Sequence, residues 1–139
     1  MPNEKVDFHF QKSIWASSVL DKRDIPDSLV NHTAVWGIDD EGFFNYTLQQ
    51  CDKSYTEGEL FFNHMMTVSN HRPYTYPDGR IDIPSVAQSI AGGVKYIDYA
   101  INKFLKDAAT RPWFNNTVFV IVANHCCKSA GKTDLTVNR

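Results

Sequence analysis

At 139 residues the chain is the size of one domain with one modest core. Hydrophobic residues at 42%, charged residues at 22% and a net charge of −2 describe an ordinary globular composition, and exclude the basic footprint of a nucleic-acid or membrane-surface binder. No apolar run approaches the roughly 18 residues of a transmembrane helix, and Met1-Pro-Asn-Glu-Lys5 has no apolar segment behind it, so no signal peptide is expected there.

Residues 1–13 are polar and mixed, with Phe8 and Phe10 as the large apolar groups, and suggest an edge element or a frayed start. Ile14, Trp15, Val19 and Leu20 favour a short strand over 14–20. Asp21-Lys-Arg-Asp-Ile-Pro26-Asp is a charged, proline-marked loop, followed by the apolar stretch Ala34-Val-Trp36-Gly37. Asp39 or Asp40 is placed to cap a helix running to about Lys53, with the acids at 39–41 complementing its dipole. Phe44, Leu48 and Cys51 fall at helical spacing and form its expected buried stripe, and 54–58 ends it.

The run 60–68, rich in Phe and Met, reads as a buried strand that stops in the polar cluster Ser69-Asn70-His71-Arg72-Pro73-Tyr74. A loop follows, carrying Pro77, Asp78 and Gly79. From Pro84 the period becomes helical, with Val86, Ile90, Val94, Ile97, Ile101 and Leu105 marking one face. Gly92-Gly93 weakens that helix by about 1 kcal/mol per glycine relative to alanine, which points to close packing against the sheet. Arg111-Pro112 ends it, and Asn115-Asn116 leads into the strongest strand signal of the chain, Val118 to Ala123, apolar and mostly β-branched as in a strand covered on both faces. This run stops abruptly at Asn124-His125.

Strand, helix, strand is a βαβ unit with a right-handed crossover. Parallel neighbours would place Asn70-His71 and Asn124-His125 on the same sheet edge, where ligands bind in open α/β sheets. An imidazole suits zinc or manganese and an amide oxygen suits harder ions. A metal site takes three or four protein ligands, so Asn124 and His125 form an incomplete one; the alternative is that His125 hydrogen-bonds a loop carbonyl. His71 carries the same alternative, and His9, His32 and His64 read as structural or exposed.

Other chemistries fit less well. Gly131-Lys132-Thr133 resembles the end of a phosphate-binding P-loop, but the glycine required five residues earlier is Cys126. No G-x-S-x-G elbow is present for a serine hydrolase. Cys126 and Cys127, beside His125, suit neither a C-x-x-C knuckle nor an ordinary disulfide and read as buried or idle thiols. The three N-x-T triplets, at Asn31, Asn45 and Asn115, are short enough to arise by chance.

Three motifs stand in a particular order: Trp36-Gly-Ile-Asp-Asp-Glu-Gly-Phe-Phe, Thr67-Val-Ser-Asn-His71-Arg-Pro-Tyr74 and Thr117-Val-Phe-Val-Ile-Val-Ala-Asn-His125, with Lys95-Tyr-Ile-Asp-Tyr-Ala-Ile between the last two. Together they resemble the lipoteichoic acid synthase-like phosphoglycerol transferases and sulfatases of the alkaline phosphatase superfamily, from about Val19 to Lys132. The resemblance implies an α/β fold with a mostly parallel sheet and flanking helices, and residues 1–139 as a single partial catalytic domain, the later part of a larger one. It implies a membrane-anchored, extracytoplasmic parent acting on phosphoesters or sulfoesters, including anionic phospholipid head groups. The implied cofactor is a divalent metal, manganese or zinc, with calcium or magnesium as further options.

By resemblance, Asn124 and His125 match a metal-binding Asp-His pair, with Asn124 departing from the usual aspartate. His71 matches a catalytic histidine contacting the transferred group, Trp36 a tryptophan lining the substrate pocket, and Lys132 reaches the anionic group. The family nucleophile, threonine or formylglycine, lies upstream of the matched part, and neither Cys51-Asp-Lys-Ser nor Cys126-Cys-Lys-Ser has the C-x-P-x-R form that sulfatases modify. The fragment is therefore expected to be inert and, with uncovered apolar faces, to self-associate. The alternatives are a degenerate, non-catalytic binding module of the same fold, or a P-loop nucleotide-binding protein.

Overall fold

The computed structural model describes residues 22–34 and 36–123. Two 3-10 turns, Lys22–Asp24 and Asp27–Leu29, straddle Pro26 in the charged loop. They lead to a short antiparallel pair, β1 (Thr33–Ala34) and β2 (Gly37–Ile38), with Thr33 opposite Ile38 and Ala34 opposite Gly37. Helix α1 (Asp40–Thr56) follows at once, capped by the Asp39 side chain, which accepts from the Gly42 N–H at 2.9 Å. The expected stripe of Phe44, Leu48 and Cys51 is buried.

The second long helix, α2 (Ile90–Ala109), begins later than its apolar period suggests. Pro84 introduces a 3-10 turn, Ser85–Ala87, and Gln88 then takes a left-handed backbone conformation (φ 44°) that breaks continuity. The Ser89 hydroxyl restarts the helix by accepting from the Gly92 N–H at 3.0 Å. The helical period is right but the expected face is not. Gly92, Gly93, Tyr96, Ala100, Phe104 and Ala108 form the buried stripe, Val86 and Val94 are exposed, and Ile90, Ile97, Ile101 and Leu105 lie half-buried on the flank. Ala100, Phe104 and Ala108 of this stripe pack on α1, while Gly92, Gly93 and Tyr96 face the 69–76 segment. Small residues let the backbones approach while rings fill the gaps, which a row of branched aliphatics would do less well.

The core lies between the helices. Phe44, Leu48 and Cys51 of α1 pack with Ala100, Phe104 and Ala108 of α2 and with Trp113. The Phe44 and Phe104 rings are 5.0 Å apart, and burial of each such side chain contributes about 1.5–3 kcal/mol. Trp113 satisfies its indole N–H on Asp52 Oδ1 at 2.8 Å, and Arg111 Nη1 lies 3.3 Å from the same carboxylate, so the chain leaving α2 is tied back to α1. Cys51 is an idle buried thiol here: it accepts from Asn63 Nδ2 at 3.2 Å, and burial pushes its pKa up to about 11.

The two long strands read from sequence do not form a ladder among the described residues. In 60–68, Phe61, Met65 and Thr67 turn inward while Leu60, Phe62 and Met66 are exposed; in 117–123, Phe119 turns inward while Val118, Val120, Ile121 and Val122 are exposed. The segment 118–123 is thus covered on one side, not two. The physical reason is that its run of β-branched residues favours a buried sheet position, yet the described residues pair no strand with it. The Asn70-His71 end can be described, but Asn124, His125 and Lys132 lie outside the described residues, as does the expected strand at 14–20. No helix among the described residues is long and apolar enough to cross a membrane.

Candidate functional site

The site is assembled from the three acids at the start of α1, each buried and each pointing to a different neighbour. Asp39 caps the helix and also accepts from the backbone N–H groups of Asn31 (3.1 Å) and His32 (2.9 Å), which fixes the loop entering β1. The Tyr96 hydroxyl donates to the same carboxylate at 3.3 Å, anchoring α2. Glu41 meets Arg80 Nε at 2.6 Å and holds the 78–82 loop against α1.

Asp40 reaches sideways. Its two carboxylate oxygens accept from the backbone N–H groups of Val68 (2.9 Å) and Ser69 (3.0 Å), where the chain turns toward Asn70-His71. Burial pushes its carboxyl above the usual range, with the hydrogen bonds from Ser69 and Val68 pulling the other way. The turn itself is closed by His71 N–H on Val68 O at 3.0 Å and Tyr74 N–H on His71 O at 2.6 Å. It contains a cis Arg72-Pro73 peptide bond, and Tyr74 has a positive φ of 58°.

Trp36, carried on the turn between β1 and β2, closes over this segment. Its indole N–H donates to Arg72 O at 2.5 Å, and its ring centroid lies 5.6 Å from that of His71 with the planes tilted by 49°. Both side chains remain accessible, Trp36 at 37%. From below, α2 presents Gly93, where a Cβ would sit 3.1 Å from Ser69 O and Tyr74 Cδ1 and 3.3 Å from Asn70 Cα. Both glycines serve close packing, Gly93 against the His71 turn and Gly92 against Tyr76, rather than against a sheet. The same turn supplies Arg72, Pro73 and Tyr74 to an open surface depression completed by Gln88 and Ile90.

The structure thus brings together two of the five sequence-proposed site residues, Trp36 and His71. Among the described residues no three His, Cys, Asp or Glu side chains gather in a form that would hold a metal ion. The arrangement offers an accessible imidazole beside an indole wall and a guanidinium one residue away, suited to an anionic group and to proton transfer. Sequence reasoning missed Asp40, whose signal was available: a helix needs one capping acid, and three in a row exceed that need.

The Sulfatase family model matches residues 2–135. The lipoteichoic acid synthase of Staphylococcus saprophyticus is 26% identical over 95 residues, covering 64% of this chain and 14% of that protein. A crystal structure of a protein in the alkaline phosphatase superfamily from Vibrio parahaemolyticus superposes with a TM-score of 0.65 at 26% identity, over 70% of this chain and 24% of the other. The chain spans about a seventh and about a quarter of the lengths of these two proteins. With an α/β fold shared with the superfamily and a family match over nearly its whole length, the chain belongs to the Sulfatase family.

Proposed function

We propose that residues 1–139 form a single partial catalytic domain of a metal-dependent, extracytoplasmic enzyme that transfers or hydrolyses a phosphoester or sulfoester. Family membership supports ester chemistry of this class, and similarity to a lipoteichoic acid synthase favours a phosphoglycerol or related anionic head group as substrate and a membrane-anchored parent. The observation that carries the reading is the meeting of Trp36 and His71, distant in sequence, across a rigidly held turn.

In this reading His71 contacts the transferred anionic group and gives a proton to the leaving oxygen, Trp36 walls the pocket, and Lys132 reaches the anion. Asn124 and His125 would contribute to a divalent ion, manganese or zinc in preference to calcium or magnesium; an amide oxygen and an imidazole fit such an ion but do not complete its shell. When bound, the ion would polarise the ester oxygens. No residue of this chain is assigned as nucleophile, so the chain alone is expected to be inert.

The test is titration of the full chain with glycerol phosphate in the presence of manganese, repeated on His71→Ala and His125→Ala. Weakened anion binding in the first and weakened metal binding in the second are expected; unchanged binding in both would remove the reading, and metal-dependent turnover by the chain alone would remove the assignment of the nucleophile elsewhere. Asn124 favours a second reading, a non-catalytic binding module, because replacing an aspartate by an amide removes a charge from the metal shell. That reading predicts anion binding with no metal dependence. Family membership leaves the P-loop reading without a basis.

The exposed Leu60, Phe62, Val118, Val120 and Val122 support self-association of the isolated chain. Sedimentation velocity should show a concentration-dependent shift toward dimers or larger species, and a strictly monomeric profile at high concentration would refute it.

A further inference from the structure

Asp40 is almost wholly buried, yet helix α1 does not need it: the cap is made by Asp39, and the dipole would be served as well by an exposed acid. Burying a carboxylate is unfavourable unless its oxygens are engaged. Those of Asp40 are engaged by two consecutive backbone N–H groups, of Val68 and Ser69, which are the last two residues before Asn70-His71. Two bonds to one planar carboxylate fix the position and also the orientation of that peptide segment. Beyond it, the His71 N–H bonds back to Val68 O, so the hold on Val68 passes directly to His71.

The rest of the cradle is passive by comparison. Gly93 supplies space beneath the turn, and Trp36 donates one bond to Arg72 O from the accessible side. Among the described residues, Asp40 grips the turn from the buried side through two hydrogen bonds to one carboxyl group. Its neighbours cannot substitute, since the Asp39 carboxylate is occupied by Asn31, His32, Gly42 and Tyr96, and that of Glu41 by Arg80.

We propose that Asp40 is a positioning residue for His71: its carboxylate, through the backbone N–H groups of Val68 and Ser69, sets the turn that presents the imidazole to Trp36 and to the substrate anion. The proposal rests on the reading of His71 as the anion-contacting histidine, and its test needs no ligand. NMR of the full chain should show a through-hydrogen-bond coupling from the Val68 and Ser69 amides to the Asp40 carboxyl carbon, and slow exchange of both amides. In Asp40→Asn one acceptor becomes a donor, so protection of these two amides should fall by at least about tenfold, the scale of one lost hydrogen bond to a charged group. The His71 ring-proton shifts, set by the Trp36 ring current, should move as well. Glu41→Gln, at a neighbour that is also buried, should leave the His71 ring shifts in place.

Absence of the coupling in the wild-type chain, or unchanged His71 ring shifts in a folded Asp40→Asn, would overturn the proposal. If Asp40→Asn does not fold, the wild-type coupling and exchange rates decide the matter. Failure of His71→Ala to weaken glycerol phosphate binding would sink the functional reading while leaving the effect of Asp40 on His71 measurable; an unmoved His71 with normal ligand binding would do the reverse.

Discussion

Gly92→Ala provides a sharp test of how α2 meets the site. A Cβ at position 92 would run into the Tyr76 hydroxyl and lie 3.1 Å from both Tyr76 Cζ and Ser89 Oγ. The Tyr76 ring cannot easily yield: it is 1% exposed, it stacks on Tyr96 at 5.1 Å with planes 12° apart, and its hydroxyl donates to Ile83 O at 3.2 Å. Overpacking of this kind costs about 1–3 kcal/mol, while glycine to alanine in a helix interior returns about 1 kcal/mol. The expected net loss is therefore up to about 2 kcal/mol, opposite in sign to helix propensity. Urea unfolding followed by tryptophan fluorescence measures it directly. In a Tyr76→Phe background, which itself loses about 1 kcal/mol with the bond to Ile83, the same change should be close to neutral. The cycle should then give a coupling of about 1–2 kcal/mol. A Gly92→Ala protein more stable than wild type, or a coupling near zero, would refute the claim that close approach of Tyr76 dictates glycine there.

Other perturbations address the acids. Arg80→Met should cost about 3 kcal/mol, the low end for breaking a buried ion pair, because Glu41 is buried while the Arg80 side chain is 35% exposed. Most of that loss should return in the double variant with Glu41→Leu; a single-variant loss within experimental error would show that the pair does not hold the 78–82 loop. Asp40 also makes stability depend on pH. Its folded pKa is raised above the ordinary 3.8, chiefly by burial, so between these two values the native state holds a proton that the unfolded state has released. Its contribution is fully present below 3.8 and is lost as pH rises through the folded value. Urea midpoints of wild type should fall across that window relative to those of Asp40→Asn, and parallel curves would count against the assignment.

How far the sequence discloses these features depends on the range of the interaction. Helix α1 was legible to within a few residues because its signals are local: an acid cap, a stripe of Phe44, Leu48 and Cys51, and a glycine just past the end. The period of α2 was equally local, but its buried face was not. Which side turns inward depends on the partner, and Phe104 and Tyr96 prevail over Val94 because Phe44 of α1 receives the first ring and Tyr76 the second. At 60–68 and 117–123 the composition speaks for a sheet whose covering layer is absent among the described residues, so preference and outcome diverge. Within the site, His71 is legible in the polar cluster ending 60–68 as well as through resemblance, Trp36 through resemblance, and the structure brings them together. Asn124, His125 and Lys132 lie outside the described residues. Three acids where one cap suffices mark Asp40 as surplus to the helix, but which groups it engages is not legible, because its partners are backbone amides 28 and 29 positions away, which leave no mark in side-chain chemistry.

The adjacency of the three acids has a consequence for reading variation in this segment. Successive helical positions point about 100° apart, so 39, 40 and 41 address the loop before β1, the His71 turn and the loop of Arg80 as separate jobs. Exchanging Asp40 and Glu41 would leave charge, composition and hydropathy untouched and would score as conservative in any substitution table. It would nonetheless put the longer arm where the short one fits and leave the guanidinium beyond reach. Chain length and order here matter as much as charge, and a deletion of one acid should be far more damaging than neutralising an exposed carboxylate elsewhere on the surface.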